Sequence, residues 1–484
     1  MFKINFDLAA SARMEMIRNG FDPDFAPGTD EEIAALEQKA APMPVDGIRD
    51  LRGLLWSSID NDTSKDLDQI EVADRVPNGI RVLVGIADVD SDVPPESPID
   101  GHAAQETVTV YTAVRNFPML PEVLSTNLTS LAENQDRLAI AIEMVVDANG
   151  SIASSSIYRA IVRNKAQLAY NAVGAWLEGR SGPDVKVAAN ADLQAQLRLQ
   201  DEAATALRSQ RHRLGALNFD RVEAVATLSD GHVSNIQAAQ KTRANDLIED
   251  FMIAANGVMA RTLKESGQSS IRRVVKSPER WPRIVELAAR YGAHLPANPD
   301  AAALSAFLEN RRQTDSIHYA DLSLAIIKLM GPGEYVMSKA GDAGIGHFSL
   351  AAQDYTHSTA PNRRYADLVT QRLIKAVLSK TAAPYADADL ESIARNCTLK
   401  EDAARKVERV MGKRVAAVAL RDRIGQHFTA VVTGVTPKGT FVRVLNPPVE
   451  GILNRGQAGV DVGDKLQVTL LSTDPERGYL DFGR

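Results

Sequence analysis

Apolar positions change their period along this chain, and each change marks a different kind of element. Between residues 1 and 45 they fall at Leu8, Met14 and Ile17, then at Ile33 and Leu36, a helical spacing broken by Asp24, Pro27 and Gly28. Pro42 opens a short linker that ends near Asp46. This predicts a small helical unit, either helix-turn-helix-like or an arm docked on the next domain. From Leu54 the period drops towards two. Residues 70–76 and 80–86 are apolar-rich and flank Pro77-Asn78-Gly79, a strong hairpin signal. A second β stretch, 137–146 and 151–162, surrounds Asn149-Gly150. Helical spacing returns at 193–213, 243–265, 317–330, 363–378 and 390–423. The chain then turns to five short strands, 428–435, 439–445, 449–453, 465–471 and 478–482, separated by Gly, Pro or Asp turns. Five strands in that space suit a small barrel of the OB type.

The predicted fold class is therefore α+β and multidomain. A helical N-terminal unit spans 1–48, a mixed α/β domain spans 49–424, and a five-stranded OB-type β-barrel spans 425–484. A length of 484 residues already requires more than one core. The hydrophobic share of 44% is ordinary for a globular chain. A single cysteine, Cys397, excludes an internal disulfide, fits a reducing compartment and sits at an apolar helical position. No apolar run approaches the roughly 18 residues of a membrane span. The first twenty residues lack a signal-peptide core. These features predict a cytoplasmic protein. The net charge of −7 argues mildly against nucleic acid. Whole-chain charge is a blunt measure, however, because a metal-dependent nuclease carries carboxylates of its own.

The densest chemistry is the run Ser58-Ile59-Asp60-Asn61-Asp62-Thr63-Ser64-Lys65-Asp66-Leu67-Asp68-Gln69, which follows a strand-like segment. Packed carboxylates repel one another unless cations or bases neutralise them, so a hard-metal site is an economical explanation. A calcium EF-hand is disfavoured, because the glycine at position six and the glutamate at position twelve are missing. A solvated acidic turn is the bland alternative, and the box alone does not exclude it.

A second segment adds weight: Tyr355-Thr356-His357-Ser358-Thr359-Ala360-Pro361-Asn362-Arg363-Arg364-Tyr365-Ala366-Asp367-Leu368. Together the two resemble the catalytic RNB domain of the ribonuclease II family. Asp60, Asp66 and Asp68 match its D-x5-D-x-D-D pattern, and the second segment matches its Y-T-x-x-T-S-P-I-R-R-Y-x-D-L signature. Further matches follow in chain order: Phe117 to Pro121 with Leu124-Ser125, Gly215 to Phe219, Ile248 to Met252 with Ala255-Asn256, and Gly346-His347-Phe348. The resemblance covers about residues 50–380.

It implies a hydrolytic 3′-to-5′ exoribonuclease that draws single-stranded RNA into a channel and releases nucleoside 5′-monophosphates, processively and without sequence preference. Asp60, Asp66, Asp68 and Gln69 would hold Mg2+, with Mn2+ as a substitute. Asp68, Arg363 and Tyr170 would act at the scissile phosphate. Tyr111 and Phe219 would stack on bases, and Glu249 and Arg364 would contact RNA. Arg364 with Asp367 also reads as a structural pair at a helix start. His347 reads as structural, since such metals prefer oxygen ligands. The final strands resemble the OB-fold module repeated in the largest small-subunit ribosomal protein, offering Phe441 and Phe428 for stacking and Lys438 and Arg443 for phosphates. The helix before it is locally basic, with Arg405, Lys406, Arg409, Lys413, Arg414, Arg421 and Arg423. A monomer with RNA as its partner is expected.

Three departures stand out. Gln69 occupies the family's fourth aspartate, so one cation should be held less tightly. An RNA-binding pseudo-enzyme that has lost turnover through Gln69 is the alternative function. Ala360 and Asn362 replace the usual Ser and Ile, which reads as a packing difference. About fifty residues also cannot hold the two cold-shock barrels of typical members, which predicts a wider channel entrance and tolerance of structured RNA. A DNA-binding regulator is the weakest reading, because the first segment has few bases besides Lys3, Arg13 and Arg18.

Overall fold

The computed structural model describes residues 6–220, 224–229, 232–316 and 318–484. Lys3 and Ile317 lie outside them. The largest sheet has seven strands in the order Ile48–Asp50, Ile152–Arg163, Asp136–Val146, Gly79–Ala87, Gln69–Val76, Ser57–Asp60, Ala166–Ala169. Its central strands are antiparallel, while both edge strands pair in parallel. The hairpin Gln69–Val76 to Gly79–Ala87 turns on Pro77-Asn78, as its sequence predicts. Gly79 is needed there: its φ is +147°, and a Cβ would meet the Val146 carbonyl oxygen at 2.1 Å.

Trp56, Ile59, Ile70, Val82, Ile86 and Ile140 are fully buried in this sheet. The helices Ala191–Arg213, Arg243–Glu265 and Tyr365–Ser379 contribute to the same core, with Leu197, Phe251, Leu368 and Leu373. A buried ion network ties Tyr365–Ser379 to residues 88–100. Arg372, 2% exposed, meets Asp90 at 2.9 Å, Asp100 at 2.8 Å and the Tyr385 hydroxyl at 2.7 Å. Removing one partner of such a network leaves the others charged and dry. Arg372→Met is therefore expected to cost roughly 3 kcal/mol in urea unfolding, and a loss under about 1 kcal/mol would contradict this account.

The helix Leu8–Arg18 packs Leu8, Ala12 and Met16 against Val407, Met411 and Val415 of the long helix Asp387–Ala419. Glu15 reaches Arg414 of that helix at 3.2 Å. Met14 and Ile17, which set the sequence period, are each 48% exposed. The second helix, Thr29–Glu37, lies instead against Pro98–Glu106 and Leu124–Leu128. Of the two arrangements left open by the sequence, the structure has the docked arm.

The C-terminal strands His427–Thr436, Gly439–Val444, Glu450–Arg455, Tyr479–Gly483 and Lys465–Asp474 close a barrel in that order. Its core contains Phe428, Val432, Leu453, Leu470 and Phe482 and continues into Ala416, Ala417 and Leu420 of the long helix. Phe428 packs edge-on against Phe482, so it belongs to the barrel interior and is not a stacking surface. Among the described residues, no helix is long and apolar enough to cross a membrane.

Candidate active site

The acidic loop joins two neighbouring strands, Ser57–Asp60 and Gln69–Val76, so Asp60 and Asp68 lie at adjoining strand ends. The loop is tied down. The Ser130 hydroxyl donates to the Lys65 carbonyl at 2.6 Å, and the Leu67 amide donates to that hydroxyl at 3.2 Å. Gln167 donates to the Ser64 carbonyl at 3.1 Å, and the Ser64 hydroxyl donates to Asp60 at 2.8 Å. These bonds are not those of a freely solvated turn.

Asp68 is 2% exposed. Its Oδ1 accepts the backbone amide of Asn362 at 3.1 Å and the Asn362 side-chain amide at 2.9 Å. Its Oδ2 lies 3.5 Å from Nε of Arg363. The Asn362 side-chain Oδ1 in turn accepts the Thr129 hydroxyl at 2.6 Å. Asn362 is thus a polar clamp on a catalytic candidate, which corrects its reading as a packing difference. The loop carrying Arg363 is held by backbone pairing. Thr109 donates to the Arg363 carbonyl at 3.0 Å and Tyr365 donates to the Thr107 carbonyl at 2.8 Å. The Arg363 side chain stays half-exposed, leaving nitrogens free to meet a ligand.

Burial, with the Asp66 carboxylate adding to it, pushes Asp68 up to about 7 against the pull of Arg363 and Asn362. Glu71 is pushed well above its ordinary range, by burial first and then by Asp60. Tyr111 is pushed up to about 12 by burial, with Asp66 and Asp68 adding and Arg363 opposing. Tyr170, at the head of Tyr170–Leu177, is raised by burial, then by Asp60 and Glu71. Both tyrosines therefore face the acids and Arg363. Asp60, Asp66, Asp68, Tyr111, Tyr170 and Arg363 thus share one electrostatic environment, and Gln69 follows Asp68 at the start of its strand.

The other predicted residues lie elsewhere. Phe219 and Glu249 line a separate cavity of about 520 Å³ with Arg208, Arg211 and Arg312. Glu249 pairs there with Lys241 at 2.6 Å. Arg364 donates twice to Asp367, at 2.8 and 2.6 Å, and the same carboxylate accepts the Ala360 amide at 2.8 Å. Arg364 therefore locks the start of its helix. Phe441 and Lys438 are on the barrel, Lys438 exposed in the turn between the first two strands. Arg443 is buried and meets Asp321 of Tyr319–Met330 at 2.9 Å, bracing barrel to core and not facing solvent as a phosphate ligand would. Arg405 and Arg414 are paired with Glu401 and Glu15, while Lys406, Arg409 and Lys413 are exposed. His347 is turned inward, its Nδ1 3.2 Å from the Ser349 hydroxyl.

The donor set suits a hard cation: carboxylate oxygens, some buried, with both Glu71 oxygens lacking any hydrogen-bond partner. Among the described residues, no three His, Cys, Asp or Glu side chains converge into a ready-made cage. Magnesium does not need one, since it is commonly held by one or two carboxylates plus water and substrate phosphate. Asp60, Asp66, Asp68 and Gln69 are the residues that would hold it.

The profile described as "RNB domain" matches residues 48–380, and "RNase II-type exonuclease C-terminal S1 domain" matches 426–484. Ribonuclease R of Aquifex aeolicus is 28% identical over 485 residues, which covers 93% of this chain and 67% of that protein. Ribonuclease R of Escherichia coli is 28% identical over 442 residues, 88% of this chain and 53% of that protein. The chain therefore spans between about half and two-thirds of these relatives. Mycoplasma genitalium RNase R, solved with ribose-methylated single-stranded RNA, superposes with a TM-score of 0.88 at 22% identity, covering 99% of this chain and 78% of that one. Yeast Ssd1, a pseudonuclease, superposes at 0.73 and 17% identity over 93% of this chain and 56% of its own. The fold alone thus does not distinguish nuclease from pseudonuclease. With the RNB profile covering well over half of its length and the S1 profile following, the chain belongs to the RNB-domain, ribonuclease II-type family.

Proposed function

We propose that this chain is a magnesium-dependent 3′-to-5′ exoribonuclease, acting as a monomer on single-stranded RNA and releasing nucleoside 5′-monophosphates. The observation that carries this reading is the buried Asp68 clamped by Asn362 with Arg363 beside it, at the end of a loop bearing Asp60 and Asp66. A magnesium ion bound there supplies Lewis-acid polarisation of the phosphate and an acidified water. The protein's part is orientation. Asn362 and the backbone of 107–109 fix Asp68 and Arg363 before substrate arrives, so little reorganisation remains for the reaction. Arg363 offers a planar fork to two phosphate oxygens. Tyr111, 39% exposed, presents a ring at the site to a terminal base, and stacking of that kind is indifferent to base identity. Phe219 and Glu249, in their separate cavity, would take a more distant part of the strand, and the exposed Lys406, Arg409 and Lys413 offer phosphate contacts that the net charge of −7 conceals. The pseudo-enzyme reading is not favoured, because the three aspartates and Arg363 are all in place.

A time course on 5′-labelled single-stranded RNA tests this. With magnesium the label is expected in a ladder that shortens from the 3′ end, with mononucleotides as the other product, and EDTA should stop it. RNA held tightly but never shortened, with magnesium or manganese, would overturn the proposal.

A further inference from the structure

Side chains two apart on a strand share a face, so Glu71 lies on the face of Gln69, the position where the family pattern calls for a fourth acid. Glu71 is 0% exposed, and neither carboxylate oxygen has a hydrogen-bond partner. Its neighbours across the sheet are Ser57 on one side and Val84 on the other. They offer a single hydroxyl between them, and that hydroxyl is itself unpartnered. Buried polar groups are ordinarily satisfied, and a carboxylate in a dry sheet needs a counter-charge above all. The groups that share its electrostatic environment are Asp60, at the end of the adjoining strand, and Tyr170. None of these supplies positive charge. A cation beside Asp60 would.

We propose that Glu71 is a ligand of the divalent cation held at Asp60, supplying the carboxylate that Gln69 lacks. The chain would then keep four acids at its metal site with one moved two residues along the strand, a glutamate giving the longer reach that this position needs. The inference rests on the metal-dependent reading above, but it concerns ion binding and is read without turnover.

The test is manganese binding to the full chain without RNA, followed by the electron paramagnetic resonance of the free ion. Glu71→Gln keeps the shape and removes the charge, and it is expected to weaken manganese binding by about tenfold or more. Its metal-free melting temperature should not fall, since glutamine keeps the shape of a buried carboxyl that burial and Asp60 hold neutral when no cation is present. Adding Gln69→Asp to that variant should bring affinity back to within about threefold of native. Glu71→Gln binding manganese within about twofold of native overturns the proposal and makes Glu71 a neutral core group. If Glu71→Gln does not fold, Gln69→Asp alone decides. The proposal expects it to tighten binding by less than about threefold, because the charge is already present, whereas a gain of about tenfold marks position 69 as an unfilled seat and overturns it. A native chain that binds manganese through Glu71 yet leaves RNA intact overturns the exonuclease reading alone. One that degrades RNA while Glu71→Gln binds manganese normally overturns this inference alone.

Discussion

Asp68→Asn is expected to slow RNA cleavage by about a thousandfold or more while leaving the fold and RNA binding intact. The substitution keeps the side-chain shape, and the asparagine carbonyl can still accept the two bonds that Asn362 donates to Oδ1. The negative charge opposite Arg363 is lost, and with it an anionic oxygen for a hard cation. Stability should not suffer. Asp68 is buried and pushed up to about 7 in the absence of a cation, so its ionised form contributes little to holding the metal-free protein together. Single-turnover degradation of 5′-labelled RNA measures the rate, anisotropy of a fluorescent RNA measures binding, and a melting curve checks the fold. A variant that keeps more than about a tenth of native activity would move the catalytic metal away from this loop. A variant that stops binding RNA would mean that Asp68 organises the channel and not the chemistry.

How much of this was legible in the sequence depends on the distance over which each feature is encoded. The hairpin on Pro77-Asn78-Gly79, the pair Asp136–Val146 and Ile152–Arg163, and the barrel strands carry their own turns and period, and the structure has them close to where the pattern puts them. The strands Ser57–Asp60 and Ala166–Ala169, the second at the sheet edge, are short and pair with each other across a long stretch of chain, and no local period announces them. In the first helix the buried face includes Ala12 and Glu15, a small residue and an ion-paired one, neither of which registers in an apolar count. The site divides the same way. Asp60, Asp66, Asp68 and Arg363 are reached through the resemblance to the family's acidic pattern and arginine signature, since the acidic run alone leaves a solvated turn open. Asn362 reads as a packing change until its amide is seen on Asp68, a partner 294 residues earlier. Glu71 had a faint signal, an acid at an inward strand position, but only its burial shows that both oxygens lack partners.

Arg363→Lys separates charge from geometry and is expected to lower kcat by about a hundredfold with little change in KM. The lysine keeps the positive charge near Asp68, so the ground-state attraction for phosphate persists. It loses the fork. Arg363 meets Asp68 through Nε at 3.5 Å, and its side chain remains half-exposed. An ammonium is a point charge on a flexible stem, and it cannot face Asp68 and two phosphate oxygens in one fixed plane. The backbone bonds of Thr109 and Tyr365 hold the loop whichever side chain it carries, so the effect should come from the lost fork and not from a moved loop. The split between kcat and KM on a short single-stranded RNA is the measurement. An equal rise in KM at unchanged kcat would make Arg363 a binding residue for the ground state. A lysine variant as fast as native would mean that charge alone suffices, and the bidentate role would have to be given up.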